Sequence, residues 1–250
     1  MTIFLINLDR STIRLGRMID QFRDLGIRAD RVSAIDGRQV PEWMRDQFED
    51  SPLSDGEVGC CASHMLVYKL MIERDLAHAI VIEDDAVLAP EFIRVAQAAI
   101  EAAPTGWDVI KLCNRPDMTT IELVRLNRHR LVRFSRQPES TVAYAISRSG
   151  AEKLLAPRHR DKPIDTQMRM PWEIGIEQYG VVPRVAWQGD AKSIIQTMGG
   201  QSTNGRFRTI CRRGDRSFLR SKVDGMTYVA CRTLNLLRAV WRVSGWHPTV

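Results

Sequence analysis

The chain has 250 residues, of which 44% are hydrophobic, enough for one sizeable core or one core with a small appendage at about 150 residues per domain. Its net charge of +6 is unevenly spread: residues 206–250 hold ten Lys and Arg against two Asp and Glu, while the body before them holds 26 basic and 28 acidic residues. No run approaches the roughly 20 apolar residues that span a bilayer, and five cysteines with only Cys60 and Cys61 close together argue against a disulfide scaffold. Residues 1–9 show neither the basic leader nor the small-residue cleavage site of a secretory signal. The expectation is a cytosolic protein with a main domain over residues 1–205 and a basic tail over 206–250.

Short apolar strands alternate with helical stretches, the pattern of an α/β sheet with helices on its faces. Residues 2–8 read as a strand, 11–25 as a helix stopping before Gly26, and 30–35 as a second strand closed by an Asp36-Gly37 turn. Residues 38–53, with Pro41 and Pro52, read as an irregular insertion. Ser54 and Glu57 have the spacing of a capping box, which starts a helix running towards Arg74. The run Ala79-Ile80-Val81-Ile82 is a buried strand that ends in three acids, Glu83-Asp84-Asp85. A helix over 91–102 follows Pro90. Further strands are expected at 107–113, within 119–135 around a basic turn at Arg128-His129-Arg130, and at 141–147. Ser149 and Glu152 repeat the capping spacing before a short helix, residues 163–178 read as helical beyond Asp165, and a late strand over 181–186 is broken by Pro183.

The acidic triplet is the chemically informative feature. Packed like charges repel, and desolvation raises their pKa values, so something must offset that cost. Alternation along a strand would put Glu83 and Asp85 on one face and Asp84 on the other, letting the outer two converge on one cation. Hard ions such as Mg²⁺ and Mn²⁺ favour carboxylate oxygen and keep coordination free for phosphate. Ligands gather outside the carboxyl ends of strands in open α/β sheets, where this triplet should lie. The bland alternative is the acidic start of a solvated loop. Cys60 and His64, four residues apart, are a conceivable metal pair, with core packing the commoner fate of such residues. The stretch 199–205 is glycine-rich but lacks the lysine of a P-loop, and reads as a flexible loop.

Three segments in order, Ile6-Asn7-Leu8-Asp9-Arg10, then Leu53 to Cys60 leading to Ser63-His64, then Ile82-Glu83-Asp84-Asp85-Ala86-Val87-Leu88, resemble the signatures of glycosyltransferase family 25, the lipooligosaccharide and lipopolysaccharide galactosyltransferase-like proteins. Ala143-Tyr144-Ala145-Ile146-Ser147, Gly150 to Leu155 and Pro163-Ile164-Asp165 resemble its second half, so the likeness covers roughly residues 2–195. The resemblance implies a GT-A-type, Rossmann-like mixed sheet flanked by helices, a divalent metal held through an Asp-X-Asp-like triplet, and inverting transfer, usually from UDP-galactose. On that basis Asp85 is expected to ligate Mn²⁺ (or Mg²⁺) with Glu83 beside it, and Glu83 or Asp84 to contact ribose or metal-bound water. Asn7, Asp9 and Arg10, at the end of the first strand, are expected to hold the nucleotide, with Arg14 a further candidate. Inversion needs a general base, for which the candidates are Asp165, Glu173, Glu177 and Asp190. Asp165 is preferred because it matches the family's Pro-X-Asp position and sits where a helix N-cap would hold it, although capping alone would also explain it. His64 is read as a buried structural histidine.

On a helical wheel over residues 226–246, Val229, Ala230, Leu234, Leu236, Leu237, Val240, Trp241 and Val243 share one arc and Arg238 and Arg242 the other. Such a basic amphipathic helix suits an anionic membrane surface, here the inner face of the cytoplasmic membrane, where a lipid-linked or lipopolysaccharide acceptor would lie. Packing on the main domain is the alternative. No nucleic-acid recognition motif accompanies the charge. Two rivals remain: a nucleotidyltransferase, which should show a glycine- and lysine-rich first loop that is absent, and an inactive family-25-like scaffold at the membrane.

Overall fold

A computed structural model describes residues 1–116 and 118–189. The expected loop at 199–205, the tail helix, the boundary at 205 and Asp190 lie outside the described residues. In chain order the elements are β1 (Thr2–Asn7), α1 (Thr12–Asp24), β2 (Asp30–Ser33), α2 (Glu42–Arg45) with a 3-10 turn at Asp46–Phe48, α3 (Asp55–Glu73), β3 (His78–Glu83), β4 (Ala86–Leu88), α4 (Phe92–Glu101) and β5 (Val109–Lys111). They continue with β6 (Thr120–Leu126), β7 (His129–Phe134), β8 (Ala143–Ser147), α5 (Arg148–Leu155), α6 (Ile164–Arg169), α7 (Pro171–Ile174), β9 (Gln178–Val182) and β10 (Ala186–Gln188).

Eight strands form one mixed sheet in the order β2-β1-β3-β8-β5-β9-β7-β6. β1 runs parallel to both β2 and β3, and β8 runs antiparallel to β3 and β5. Alternating side chains of the central strands feed two cores. Ile3, Leu5, Ile80 and Ile82 pack with α1 and α4, while Phe4, Ile6, Ala79 and Val81 pack with α3, α5 and α6. Burial on both faces explains why these strands read as continuous apolar runs. β1 leads to β2 on one side and the chain then returns to β3 on the other, so the carboxyl ends of β1 and β3 flank a topological switch point.

Some expectations need correction. The insertion at 38–53 contains α2 and the 3-10 turn. The cap of α5 is Ser147, whose hydroxyl accepts from Gly150 N at 3.1 Å, rather than Ser149. The helical stretch at 163–178 is two short helices interrupted at Pro171, whose missing N–H opens the second, and β9 already begins at Gln178. The β6–β7 turn is tighter than the basic tripeptide implied, since Asn127 takes positive φ and His129 already belongs to β7. A second sheet, β4 paired antiparallel with β10, was not legible from pattern because its strands are three residues each. Gln21 of α1 satisfies the backbone of β4 at both Ala86 O and Leu88 N, each at 3.0 Å. No helix among the described residues is long and apolar enough to cross a membrane.

The capping box of α3 forms as the spacing predicts, with Glu57 N donating to Ser54 Oγ at 3.4 Å and Ser54 N to Glu57 Oε2 at 3.0 Å. Beside it, Gly37 and Gly59 let the loop after β2 lie directly on the helix. A methyl group on Gly59 would stand 2.7 Å from Ile35 O and 2.9 Å from Gly37 N. Gly59→Ala should therefore cost about 1–3 kcal/mol in denaturant unfolding, because backbone rather than a flexible side chain must yield. Gly16→Ala, in α1 with nothing within 4 Å, should instead stabilise by about 0.5–1 kcal/mol. Equal effects of the two substitutions would contradict the close approach.

Candidate functional site

A cavity of about 300 Å³ opens at the switch point. Its lining comes from the end of β1, the first turns of α1 and α3, the Asp36-Gly37 turn, the acidic triplet, the segment before β8 and the start of α6. Asn7, Arg10, Glu83, Asp84, Asp85 and Asp165 all line it, so most residues singled out from sequence converge there. Asp9 does not. Its side chain is exposed and takes hydrogen bonds from Arg31 and from Ser33 Oγ, which hold its carboxyl below the usual range and keep it outside the cavity where a nucleotide contact was expected.

The triplet is held in three different ways. β3 stops at Glu83, and Asp84 and Asp85 occupy a turn, so the acids converge through that turn and not through strand alternation. Asp84 is engaged by the protein through both oxygens: Asn7 Nδ2 donates to Oδ2 at 2.7 Å and Arg14 Nη1 to Oδ1 at 2.9 Å. Arg31 Nε donates to Asn7 Oδ1 at 3.0 Å and thereby sets which end of the carboxamide faces Asp84. Burial works against the Glu83 charge. The hydrogen bond from His64 Nε2 at 3.1 Å, the histidine's field, Thr141 and the Lys111 charge outweigh it and hold this carboxyl below its usual value.

Asp85 is treated differently. Burial, then the charge of Glu83, pushes its carboxyl up to about 6, against the opposing hydrogen bond from Gln188 Nε2 at 2.8 Å. Its Oδ1 is buried without a hydrogen-bond donor among the described residues. β10 delivers Gln188, and Gly189 N donates to Asp85 O at 2.8 Å, so the second sheet clamps this acid from the far side. A buried oxygen lacking a donor, beside another carboxylate, is a fitting ligand for a hard divalent cation. Asp85, with Glu83 near it, is thus able to contribute to holding one.

On the other wall, Asp165 lies in the first turn of α6, where Pro163 rather than Asp165 is the N-cap, and its Oδ1 accepts from Thr166 N at 2.7 Å. Two rivals for the base are placed elsewhere: Glu173 pairs with Lys162 at 2.9 Å, Glu177 pairs with Arg133 at 2.7 Å, and neither lines the cavity. Arg10 reaches the rim and pairs with Asp36 at 2.8 Å. The hydrogen bonds from Arg38, with Arg10 adding to them, hold Asp36 far below the usual carboxylate range.

Sequence reasoning missed several contributors. Gln188 carries no local signal, because a long-range strand pairing places it. Lys111 was visible as a lysine within an apolar strand, an unusual place for a charge. It is fully buried, donates to Ser140 O at 2.7 Å, and burial lowers its ammonium to about 8 in spite of the nearby Asp165, Cys113 and Glu83. His64 is buried as expected, but it joins the site: Nδ1 lies 2.7 Å from the Tyr144 hydroxyl, which lies 2.8 Å from that of Tyr68.

Residues 1–168 match the family described as "Glycosyltransferase family 25 (LPS biosynthesis protein)". Among similar curated proteins, a mouse procollagen galactosyltransferase 2 is 33% identical over 186 residues, covering 65% of this chain and 29% of that protein. A mouse inactive glycosyltransferase 25 family member 3 is 31% identical over 180 residues, covering 65% and 30%. The chain therefore spans less than a third of the length of these relatives. Among solved structures, a glycosyltransferase involved in the glycosylation of the major capsid of PBCV-1 aligns over 79% of this chain and 97% of that one, with 8% identity and a TM-score of 0.45. The family match runs from β1 through nearly all of α6 and takes in Glu83, Asp84, Asp85 and Asp165, and this chain belongs to glycosyltransferase family 25.

Proposed function

We propose that the chain is a metal-dependent glycosyltransferase that moves a sugar from a nucleotide-sugar donor to a glycan acceptor. The observation that carries this reading is Asp85, a carboxyl sunk at the switch point with its charge opposed by burial and by Glu83, and with one oxygen lacking a donor among the described residues. Mn²⁺ or Mg²⁺ suits that oxygen, with Asp85 and Glu83 as protein ligands. When bound, the ion supplies Lewis-acid stabilisation of the charge that develops on a leaving diphosphate.

The chain's own residues do the rest. Asn7 and Arg14 fix Asp84, which keeps the turn in shape, and Arg10 at the rim turns from its partner Asp36 to reach the nucleotide. Asp165 takes the proton of the acceptor hydroxyl in a direct, inverting displacement. UDP-galactose is the donor favoured by the likeness to a procollagen galactosyltransferase, and a lipopolysaccharide or lipid-linked glycan is the acceptor favoured by the family description. Residues 206–250 then serve as an address for the anionic inner face of the cytoplasmic membrane, as their excess of arginine suggests. The alternative of an inactive, membrane-associated scaffold is raised by the relative named inactive; the complete triplet and the strained charge of Asp85 favour the enzyme.

Three outcomes follow. Incubated with Mn²⁺ and a panel of nucleotide sugars without acceptor, the protein should slowly release UDP from one donor, and Asp85→Ala should lower that rate by at least about a hundredfold. Absence of turnover and of binding for every donor would leave the scaffold reading. Because the protonated carboxyl cannot ligate and Asp85 titrates at about 6, Mn²⁺ affinity measured by calorimetry should fall as pH drops through that value. It should be about tenfold weaker at about pH 5 than at about pH 7; a flat profile would remove Asp85 from the ligand set. Deleting residues 207–250 should release the protein from anionic liposomes in a sedimentation assay and leave UDP binding intact, whereas unchanged sedimentation would reject the address.

A further inference from the structure

Cys60 and His64 stand one helical turn apart on α3, so both reach the cavity wall next to Glu83 at the end of β3. One ligand atom from each of the three residues lies within 4.8 Å of the other two. We propose that Cys60, His64 and Glu83 form a second metal site, for a thiolate-seeking divalent ion of the zinc class, which shares Glu83 with the donor site and so antagonises donor use.

The ligand set differs in kind from the oxygens of Asp85. Thiolate and imidazole select zinc and cobalt, whereas manganese and magnesium go to carboxylate, phosphate and water. One cavity thus offers a hard and a soft position that meet at a single glutamate. With metal bonds of about 2.0–2.3 Å, three tetrahedral ligands sit about 3.3–3.8 Å apart, so the observed spread closes with side-chain rotations of about 1 Å. A fourth place stays open to water.

Two features prepare the site. Cys61 and Cys113 are buried, while Cys60, the third cysteine of the described residues, keeps partial exposure on the cavity wall. His64 already points Nε2 at Glu83, and the Tyr144 hydroxyl at Nδ1 can either donate or accept. The ring can therefore pass from the tautomer that donates from Nε2 to Glu83 to the one that carries its proton on Nδ1 and leaves Nε2 free for a metal, in the way that ligating histidines are commonly oriented. Without an ion, burial and the charges of Glu83 and Asp165 keep Cys60 as the thiol. On binding, the thiol releases one proton to solvent and the imidazole shifts its proton from Nε2 to Nδ1 through solvent, so that sulfur–metal and Nε2–metal bonds form with one net proton released and no electrons exchanged.

Only the antagonism rests on the glycosyltransferase reading; the site itself does not. The test uses Co²⁺ as the spectroscopic probe on the full chain carrying Cys211→Ser and Cys231→Ser. A sulfur-to-cobalt charge-transfer band should appear, Zn²⁺ should bleach it, and Zn²⁺ should protect Cys60 from alkylation read by peptide mass spectrometry. Adding Cys60→Ser, a near-isosteric change whose folding is checked by its thermal transition, should abolish the band and weaken Zn²⁺ binding by at least about tenfold. The concentration of Zn²⁺ that halves donor hydrolysis should rise by a similar factor. No thiolate band, or a band that persists in Cys60→Ser, overturns the proposal, as does Zn²⁺ inhibition unchanged by that substitution. Loss of donor hydrolysis under every condition with the band intact would instead overturn the transferase reading and leave the metal site standing.

Discussion

Where β3 leaves the sheet, three carboxyl groups share a partly desolvated corner, and like charges in that position raise one another's cost of ionisation. The surrounding structure is largely a set of answers to that cost. Asp84 is answered by an arginine and an amide from the β1–α1 side. Glu83 is answered by a histidine from α3 and, more remotely, by a lysine buried in β5. Asp85 receives one hydrogen bond from β10 and otherwise keeps its penalty. The asymmetry matters, because a site whose acids were all neutralised by protein groups would have little left to gain from a cation. Strain of this kind persists only where neighbouring structure over-determines it.

That over-determination comes from elements distant in sequence. α3 is pinned at its start by the capping box and by the Gly37–Gly59 contact, and Ser63 ties the helix to the loop after β2 through Ile35 N at 2.8 Å. The segment before α3 is stapled to the segment before α6 by Arg160, which is buried and bonds Gln47 Oε1 at 3.1 Å and Gln167 Oε1 at 2.9 Å, and by Ser51 Oγ donating to Arg160 O at 2.6 Å. A buried guanidinium is tolerated here because its donors are met by side-chain and backbone acceptors. The helix carrying His64 and the helix carrying Asp165 are thereby held to one frame, which fixes the width of the cavity between them.

The parts of this arrangement that were legible in the sequence are those written locally. A capping box needs two residues three apart, so Ser54 and Glu57 announced α3 correctly. Buried strands and their acidic ends also show within a few residues, as at Ile82-Glu83-Asp84-Asp85. The family likeness supplied Asp165, whose chemistry no local pattern would have separated from that of Glu173 or Glu177. What stayed hidden depends on pairing between remote segments. Gln188 reaches Asp85 only because β10 pairs with β4 across about a hundred residues. Asp9 follows the strand-end pattern as well as Asn7 does, yet it turns outward to Arg31 and Ser33, a choice that only β2 beside β1 decides. The capping residue of α5 moved from Ser149 to Ser147 because β8 runs directly into the helix, leaving no room for the two extra residues.

The cavity's charge has one more consequence for how a donor would enter. Acidic side chains outnumber Arg10 and Arg14 among the lining residues, and both arginines are already paired, with Asp36 and Asp84. A bare diphosphate approaching such a surface meets repulsion, and the protein's fixed cations cannot neutralise it without first breaking those pairs. On the proposed function, a diphosphate that arrives with its divalent ion, or after the ion is in place, would meet an attractive site, because the same carboxylates that repel the phosphate would hold the metal. On that same function, the electrostatics of this cavity would thus favour the ion binding before or together with the nucleotide, with the incompletely compensated charge of Asp85 making room for it.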